Sequence, residues 1–289
     1  IKKTIDRLAM HKMNVLHLHL VDDQGWRIEI KKYPKLTKVG AWRVDQEDMH
    51  WNARVAVDPD EKGTYGGYLT QTELEELVTS AQLKNVEIIP EIEMPAHVSS
   101  AIAAYPELSC FENQIGVPSG GVWPITDIYC AGKESTFEFL EDVLNEVIEI
   151  FPSKYIHIGG DEATKTNWEK CPYCQKRIKD EDLKDVNELQ SYFVKRIEKY
   201  INSKGKNLIG WDEILEGGLA PEATVMSWRG VKGGVEAAEQ GHDVVMTPGT
   251  HCYFDHYQGP QNEEPLAIGG FLPLSKVYEF DPVVETMSP

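Results

Sequence analysis

The strongest constraint on the fold is the alternation of six short apolar runs with stretches of helical periodicity. The runs are rich in Val, Ile and Leu, and they lie at residues 14–21, 86–92, 155–158, 207–211, 224–228 and 243–247. Helical patterns lie at residues 1–13, 70–84, 137–151, 186–204 and 233–240. Thr70 and Glu73 have the spacing of a capping box at the start of the second stretch, and Gly205 is expected to end the fourth. Short strands that alternate with helices form parallel sheets with crossover connections. We therefore expect an α/β protein.

A (β/α)₈ TIM barrel accounts best for this order, and a doubly wound open sheet is the alternative. An open sheet of that kind usually carries a glycine-rich phosphate loop near its first strand, and the chain has no G-x-G-x-x-G or G-x-x-x-x-G-K-[ST] motif. A barrel needs eight strands and only six are recognisable. Because the sequence also starts abruptly without Met, we expect one catalytic barrel domain, residues 1–289, truncated at both ends. Residues from 258 onward are rich in Pro and Gly and are expected to form a loop.

Charge and hydropathy exclude several classes of partner. The net charge of −18 opposes binding to nucleic acids and to anionic membrane surfaces, because both require a basic surface. No apolar run approaches the roughly 18–20 residues of a membrane-spanning helix. A neutral ligand such as a sugar is compatible with this composition.

The five cysteines allow more than one interpretation. Cys171 and Cys174 have the spacing of half a zinc site or of a redox pair, but no second Cys/His pair stands at finger-like spacing. We therefore expect a local disulfide or two reduced thiols in a loop rather than zinc. Cys110 and Cys130 flank a Gly/Pro-rich loop at residues 116–124, and a disulfide between them would close it in an oxidising compartment. Cys252 would then have no partner.

Two adjacent acids, Asp161 and Glu162, follow the third apolar run after Gly159 and Gly160. Catalytic residues of α/β enzymes lie at the carboxyl ends of parallel strands, and glycines there let the backbone turn and approach a ligand. Two carboxylates in one pocket do not ionise independently, so one of them can serve as a proton donor. The alternative is a solvated acidic turn or a helix N-terminus.

The ends of the other runs are also polar and aromatic, and in a barrel they meet at one mouth. They carry Asp22, Asp23 and Trp26; Glu91, Glu93 and His97; Trp211, Asp212 and Glu213; Trp228 and Arg229; and Tyr253, Phe254 and Asp255. Aromatic rings stack on the apolar faces of sugars while carboxylates accept hydrogen bonds from their hydroxyls. Individually, a Trp here can be packing and His157 a core histidine. As a set, these residues predict a carbohydrate site.

With these motifs in view, the chain resembles the catalytic domain of glycoside hydrolase family 20, the β-N-acetylhexosaminidases. The resemblance runs from Asn-Val-Leu-His-Leu-His-Leu-Val-Asp-Asp-Gln-Gly-Trp-Arg at residues 14–27, through His-Ile-Gly-Gly-Asp-Glu at 157–162, to Tyr-Phe-Asp at 253–255. It implies an exo-acting, retaining hydrolase that removes terminal N-acetylglucosamine or N-acetylgalactosamine without a metal or organic cofactor. Its partners would be N-acetylhexosamine-containing glycans, and the protein would be exported or lysosomal.

The resemblance also implies roles for individual residues. Glu162 would be the general acid and then the base, and Asp161 would orient the substrate's 2-acetamido group, whose oxygen attacks the anomeric carbon to form an oxazolinium ion. Tyr253 would donate to the acetamido oxygen. The remaining implied binding residues are Trp211 and Trp228 as walls of the N-acetyl pocket, Asp22, His97 and His157 as supporting polar groups, Asp255 as a ligand of sugar hydroxyls, and Glu213 by motif adjacency only.

The chain departs from the family pattern in two places, and three other functions are alternatives to a hexosaminidase. The family's first strand carries an Arg and its eighth a Trp and an acidic residue, and no match to these is found in the chain. The same motifs would serve a disaccharide-releasing enzyme of the lacto-N-biosidase type. A non-catalytic glycan-binding barrel is a second alternative, and metal-dependent hydrolysis through His17, His19 and Asp22 is a third.

Overall fold

A computed structural model describes residues 1–120 and 126–284 of the chain. Six strands form one parallel sheet in sequential order, as the alternation predicts. They are β1 (Val15–His19), β2 (Glu87–Glu91), β3 (Tyr155–His157), β4 (Asn207–Trp211), β5 (Thr224–Ser227) and β6 (Val244–Met246). Each strand lies inside one of the predicted runs.

Five helices occupy the predicted helical stretches and cover the outer face of the sheet. They are α1 (Lys2–Met10), α2 (Gln71–Gln82), α3 (Glu134–Ile150), α4 (Val186–Ser203) and α5 (Lys232–Glu239). The start of α2 is a capping box in which the Thr70 side chain accepts from the Glu73 N–H, and the Glu73 side chain accepts from the Thr70 N–H. Gly205 follows α4 with a φ of +73°, a conformation that glycine adopts without a Cβ clash. Both predicted helix boundaries are therefore confirmed.

The sequence patterns did not predict several short elements. They are the helices Lys35–Lys38, Ser99–Ala104, Thr166–Lys170, Pro172–Asp180, Gly249–Cys252 and Leu274–Tyr278, the 3₁₀ turns Trp51–Ala53, Pro106–Leu108, Asp212–Leu215 and Gln261–Glu263, and the antiparallel pairs Val21–Asp22 with Gly25–Trp26 and Trp42–Arg43 with Tyr65–Gly66. Pro172–Asp180 buries only Cys174, so it lacks the apolar stripe from which helices are recognised. Within residues 258–284 the expected loop is correct apart from Leu274–Tyr278 and the 3₁₀ turn, and residues 285–289 lie outside the described residues.

The sheet separates two apolar layers. The larger core lies between the sheet and the helices and includes Phe137 and Leu140 of α3. A small cluster of Ile89, Ile209 and Met226 fills the opposite, concave face. Such filling of the interior by layers of side chains is characteristic of TIM barrels.

The sheet is an incomplete TIM barrel. β1 and β6 are its two edge strands. Within the described ranges they do not pair with each other, and no further strand lies between them to close the barrel. The register sets Glu91 of β2 opposite His19 of β1 and His157 of β3. The carboxyl ends of these three strands are therefore level with one another, and their polar side chains lie in one row.

All five cysteines are free thiols, which contradicts the disulfide expected between Cys110 and Cys130. These two are buried together with Cys171 and Cys174, and Cys252 is separate and half-buried. Cys171 and Cys174 enclose the start of the helix Pro172–Asp180 rather than lying in a loop. Residues 121–124 of the predicted loop lie outside the described residues. Among the described residues, none of the helices is both long enough and apolar enough to cross a bilayer.

Candidate active site

The turn after β3 brings the two adjacent acids to the mouth of the barrel. Gly159 and Gly160 have φ values of +67° and +94°, which favour glycine. A Cβ on Gly159 would overlap the carboxylate of Glu93, so this position requires glycine on steric grounds as well. The backbone reaches Glu162 with a φ of +49°, a left-handed conformation uncommon for a residue with a side chain.

His97 connects the two acids to the turn after β1. Its Nε2 atom lies 3.4 Å from Asp161 Oδ2 and 3.2 Å from Glu162 Oε2. Its Nδ1 atom lies 3.0 Å from Asp23 Oδ2 and 3.3 Å from Asp22 Oδ1. Burial opposes a charge on this ring, but hydrogen bonds to these four carboxylates raise the pKa of His97 well above its ordinary value. The imidazolium therefore balances part of the surrounding negative charge.

Backbone strain coincides with this contact, because His97 has a φ of +53° and faces Glu162, which is also left-handed. Such conformations cost on the order of 1–3 kcal/mol and persist where the surroundings enforce them. Asp23 supplies part of that support, because its Oδ1 accepts from the Ser99 N–H at 3.0 Å and from the Ser99 hydroxyl at 2.7 Å. The fold thus holds His97 against the acids at an energetic cost.

One oxygen of Asp161 has no hydrogen-bond donor among the described residues. Asp161 Oδ1 is buried and accepts no hydrogen bond from any described residue, whereas Oδ2 faces His97. A buried acceptor without a donor costs about 1–3 kcal/mol. This oxygen is therefore suited to accept a hydrogen bond from a bound molecule.

A second polar group fills the interior of the barrel around Glu91. Its carboxylate lies 2.9 Å from His17 Nε2 and 3.0 Å from His157 Nδ1, and it accepts from Trp211 Nε1 at 2.9 Å. The rings of His17 and His157 are 4.4 Å apart, and the Trp211 ring is 4.8 Å from His157. Burial opposes ionisation, but the two histidines hold the pKa of Glu91 well below its ordinary value.

Glu93 lies between these two groups and is fully buried, and neither of its oxygens is hydrogen-bonded to a described residue. Burial, with the nearby charges of Asp161 and Glu91, raises its pKa well above the ordinary value. Glu93 therefore holds its proton more strongly than Glu91, two residues away, whose pKa is shifted in the opposite direction.

The opposite side of the mouth carries a stacked aromatic pair. The rings of Trp228 and Tyr253 are nearly parallel, with centroids 6.2 Å apart and an interplanar angle of 9°. Glu213 Oε2 accepts from Trp228 Nε1 at 3.0 Å, and Asp212 Oδ1 accepts from the Trp228 backbone N–H at 3.1 Å. Burial raises the pKa of Glu213 to about 7.

Tyr253 faces the acids and keeps its proton. Burial and then the charges of Asp161 and Asp255 raise the pKa of its hydroxyl above the ordinary value. The hydroxyl is therefore a neutral hydrogen-bond donor at neutral pH. Asp255 itself is exposed.

The structure divides the predicted site residues among three locations. Asp22, His97, Asp161 and Glu162 form the rim cluster; His157 and Trp211 lie inside the barrel; and Glu213, Trp228, Tyr253 and Asp255 lie on the aromatic side. His17 and His19 do not join Asp22 in one ligand group within the described residues, because His17 faces Glu91 and His157.

Sequence reasoning placed four further carboxylates at the strand ends but assigned none of them a role: Asp23, Glu91, Glu93 and Asp212. A signal for two of them was present in Glu91-Ile92-Glu93, because side chains two apart on an extended chain share one face. The pairing with β3 does continue past β2, since the N–H groups of Ile92 and Met94 donate to the carbonyls of His157 and Ile158. Asp23 and Asp212 adjoin predicted residues and carry no signal of their own.

Comparison with known proteins identifies the family. The model of the glycosyl hydrolase family 20 catalytic domain matches residues 1–288. The chain is 51% identical over 285 residues to a beta-hexosaminidase of Porphyromonas gingivalis, an alignment that covers 98% of this chain and 35% of that protein. The chain therefore belongs to glycosyl hydrolase family 20, and the resemblance seen in the sequence is confirmed.

Solved structures of relatives share the fold. The beta-N-acetylhexosaminidase of Bacteroides fragilis matches at 36% identity and a TM-score of 0.76, covering 90% of this chain and 49% of that one. An exo beta-N-acetylglucosaminidase of Vibrio harveyi, solved with N-acetylglucosamine, matches at 32% identity and a TM-score of 0.80, covering 98% and 44%. This chain thus spans about a third to a half of the relatives it matches.

Proposed function

We propose that the protein containing this chain is an exo-acting, retaining β-N-acetylhexosaminidase that releases terminal N-acetylglucosamine or N-acetylgalactosamine. One observation carries the proposal: Asp161 and Glu162 share His97, while Asp161 keeps a buried oxygen without a donor. The N–H of a substrate 2-acetamido group would supply the missing donor. A substrate lacking that group would leave the oxygen unsatisfied, which disfavours its binding.

The arrangement of the acids supports substrate-assisted catalysis. A conventional retaining pair flanks the sugar with its carboxyl groups about 5–5.5 Å apart and one of them as nucleophile. Here Asp161, Glu162 and His97 form one group whose facing atoms lie within 4.8 Å of one another. Both carboxylates therefore lie beside the same imidazole, which favours an acid and an orienting group over an acid and an opposed nucleophile.

In the proposed first step, the acetamido carbonyl oxygen bonds to the anomeric carbon as the glycosidic C–O bond breaks. Glu162 transfers its proton to the departing oxygen, Asp161 accepts the acetamido N–H, and Tyr253 donates to the acetamido oxygen. In the second step, water attacks the anomeric carbon of the oxazolinium ion as the C–O bond to the acetamido group breaks. Glu162 then accepts the proton from water, and two inversions at the anomeric carbon retain its configuration.

The remaining side chains would shape the pocket around this chemistry. Trp228, held by Glu213, and Trp211, held by Glu91, would form walls of the N-acetyl pocket. Asp255, exposed beyond Tyr253, would bind sugar hydroxyls. Asp22 and His157 act through His97 and Glu91 as positioning residues.

We also propose that the protein acts on N-acetylhexosamine-containing glycans outside the cytoplasm, because such glycans occur on cell surfaces and in secreted or lysosomal material. Fractionation of the native host cells, followed by detection of the full-length protein, tests this. Recovery in the cytosolic fraction alone would overturn the proposed location without affecting the proposed reaction.

The decisive experiment is Glu162→Gln in the full-length protein, assayed on an aryl N-acetyl-β-glucosaminide. We expect kcat to fall by about 100-fold or more, the usual loss when a general acid is removed. Glu138→Gln, an exposed change on α3, is the matched control and should leave kcat unchanged. Activity of Glu162→Gln within about tenfold of wild type would exclude Glu162 as the acid.

Product analysis separates this proposal from its alternatives. Release of a monosaccharide from a β-linked N-acetylhexosaminide oligomer is expected, and release of a disaccharide would identify a lacto-N-biosidase-type enzyme instead. Binding of the oligomer without turnover would identify a glycan-binding barrel. A thiazoline analogue of the oxazolinium ion should inhibit competitively, and failure to bind would reject the substrate-assisted step.

A further inference from the structure

Four cysteines from distant parts of the chain converge in the core, away from the acids. Cys110, Cys130, Cys171 and Cys174 are all buried and all free. Their sulfur atoms lie within 4.8 Å of one another, and three of the separations are 3.6 Å (130–174), 3.7 Å (130–171) and 3.8 Å (110–174). Each thiol thus points toward a common centre.

These separations fit a tetrahedral metal site. Four sulfurs at about 2.3 Å from a central zinc ion are separated from one another by about 3.8 Å. A disulfide would instead bring two sulfurs to about 2.0 Å and leave the other two outside the bond. Four thiols that served only as small apolar groups would have no reason to face one point.

The local backbone of Cys171 and Cys174 is also suited to a metal. Cys171 is the residue before the helix Pro172–Asp180, and Cys174 lies in its first turn. A Cβ on Gly132 would overlap the backbone of Tyr173 and Cys174. Gly132 therefore lets the segment after Cys130 lie directly on the Cys-x-x-Cys turn.

Zinc binds cysteine as thiolate, a form that a neighbouring cation favours. Lys133 lies beside the cluster: its ammonium donates to the carbonyl of Ser109 at 2.7 Å and lies 5.6 Å from the centre of the Tyr173 ring.

We propose that Cys110, Cys130, Cys171 and Cys174 bind one Zn²⁺ ion as a structural tetrathiolate site. Binding would release the four thiol protons and leave a centre of charge −2, which the nearby ammonium of Lys133 partly offsets. All four positions would be filled by protein sulfur, so the ion has no open position for a substrate and its role is structural. The sequence spacing argued against zinc because Cys110 and Cys130 are not a close pair, but the fold brings them to the other two.

The site would join two segments that flank the candidate acids. Cys110 and Cys130 follow β2, while Cys171 and Cys174 follow β3 and the turn that carries the acids. Hydrogen bonds already link the same segments, because Trp168 Nε1 donates to the Tyr129 carbonyl at 2.9 Å and the Tyr129 N–H donates to the Pro95 carbonyl at 2.9 Å. The zinc ion would thus fix the outer support of the mouth.

Metal content tests the proposal independently of the proposed enzyme activity. The full-length protein is purified as wild type, Cys174→Ser and Cys252→Ser, and the zinc content of each is measured by inductively coupled plasma mass spectrometry. Cys252 is a half-buried thiol outside the cluster and provides the matched control. We expect Cys174→Ser to lose about one zinc ion per chain relative to wild type, and Cys252→Ser to lose none.

Wild-type protein alone provides the second measurement, in case Cys174→Ser does not fold. After the metal is removed with a chelator, Co²⁺ should restore it at about one ion per chain, with the visible bands of a tetrahedral thiolate complex. Equal zinc in all three proteins, iron in place of zinc, or disulfide bonds within the cluster detected by mass would each overturn the proposal.

Discussion

The rim cluster around His97 and the interior network around Glu91 are both built from histidines and carboxylates, but their roles differ. Around Glu91, two histidines and an indole lie within about 3 Å of one carboxylate. At the rim, one imidazolium serves four carboxylates, and Asp161 keeps an unpartnered oxygen. The Glu91 carboxylate is enclosed by side chains of its own protein, which favours one conformation, whereas the rim acids share a single imidazolium and can still bind a ligand. We therefore expect Glu91 to support the fold, and Asp161 and Glu162 to act in catalysis.

Asp161→Asn should have the largest effect, and that effect should be a loss of activity rather than of stability. An amide cannot accept and orient the acetamido N–H as a carboxylate does, so kcat should fall by about 100–1000-fold. Stability should be unchanged or higher, because one of the crowded negative charges at His97 is removed. Steady-state kinetics and urea unfolding of the full-length protein check both parts. Retained kcat with a lower unfolding midpoint would show that the two regions had been assigned the wrong way round.

Glu91→Gln should act mainly on stability. The change leaves His17 and His157 without their carboxylate partner, and breaking such a buried pair costs about 3 kcal/mol of unfolding free energy. Glu76→Gln, an exposed change on α2, is the control and should stay within about 0.5 kcal/mol. Urea unfolding at pH 7 measures both. Equal effects of the two changes would contradict the assigned role of Glu91.

Glu93→Gln should have little effect on stability near pH 4 and should become increasingly stabilising as pH rises to 7. Because the pKa of Glu93 is raised in the folded protein, the unfolded chain releases a proton above about 4.5 that the folded one keeps. Stability therefore falls as pH rises above about 4.5, by up to about 1.4 kcal/mol per unit, until the raised pKa is passed. Glutamine should remove this slope.

Glu91 supplies the opposite slope as an internal reference. Its pKa is lowered, so its stabilisation is present above its ordinary value and is lost as pH falls through the folded value. Unfolding free energies of wild type and both variants between pH 2 and 8 would reveal the two signs, with the slope from Glu91 below pH 4.5 and that from Glu93 above it. A wild-type profile unaffected by Glu93→Gln would show that Glu93 is solvated rather than buried and neutral.

Much of the fold followed from local patterns. β4 has the predicted bounds, and the capping box of α2 was read from Thr70 and Glu73 alone. The helix Pro172–Asp180 was missed because a single buried residue gives no periodicity. Local patterns thus identify elements that bury a face and overlook those held by a few specific contacts.

The sequence by itself determined the order of the strands, the family and the pair Asp161 and Glu162, because each is written in neighbouring residues. Only the tertiary structure decided that the pKa of Glu91 is lowered while that of Glu93 is raised, since the histidines and the burial that distinguish them come from other strands. It also decided that four scattered cysteines share one centre. Ionisation and metal binding depend on distance and on exclusion of water, and both arise only when remote segments pack together.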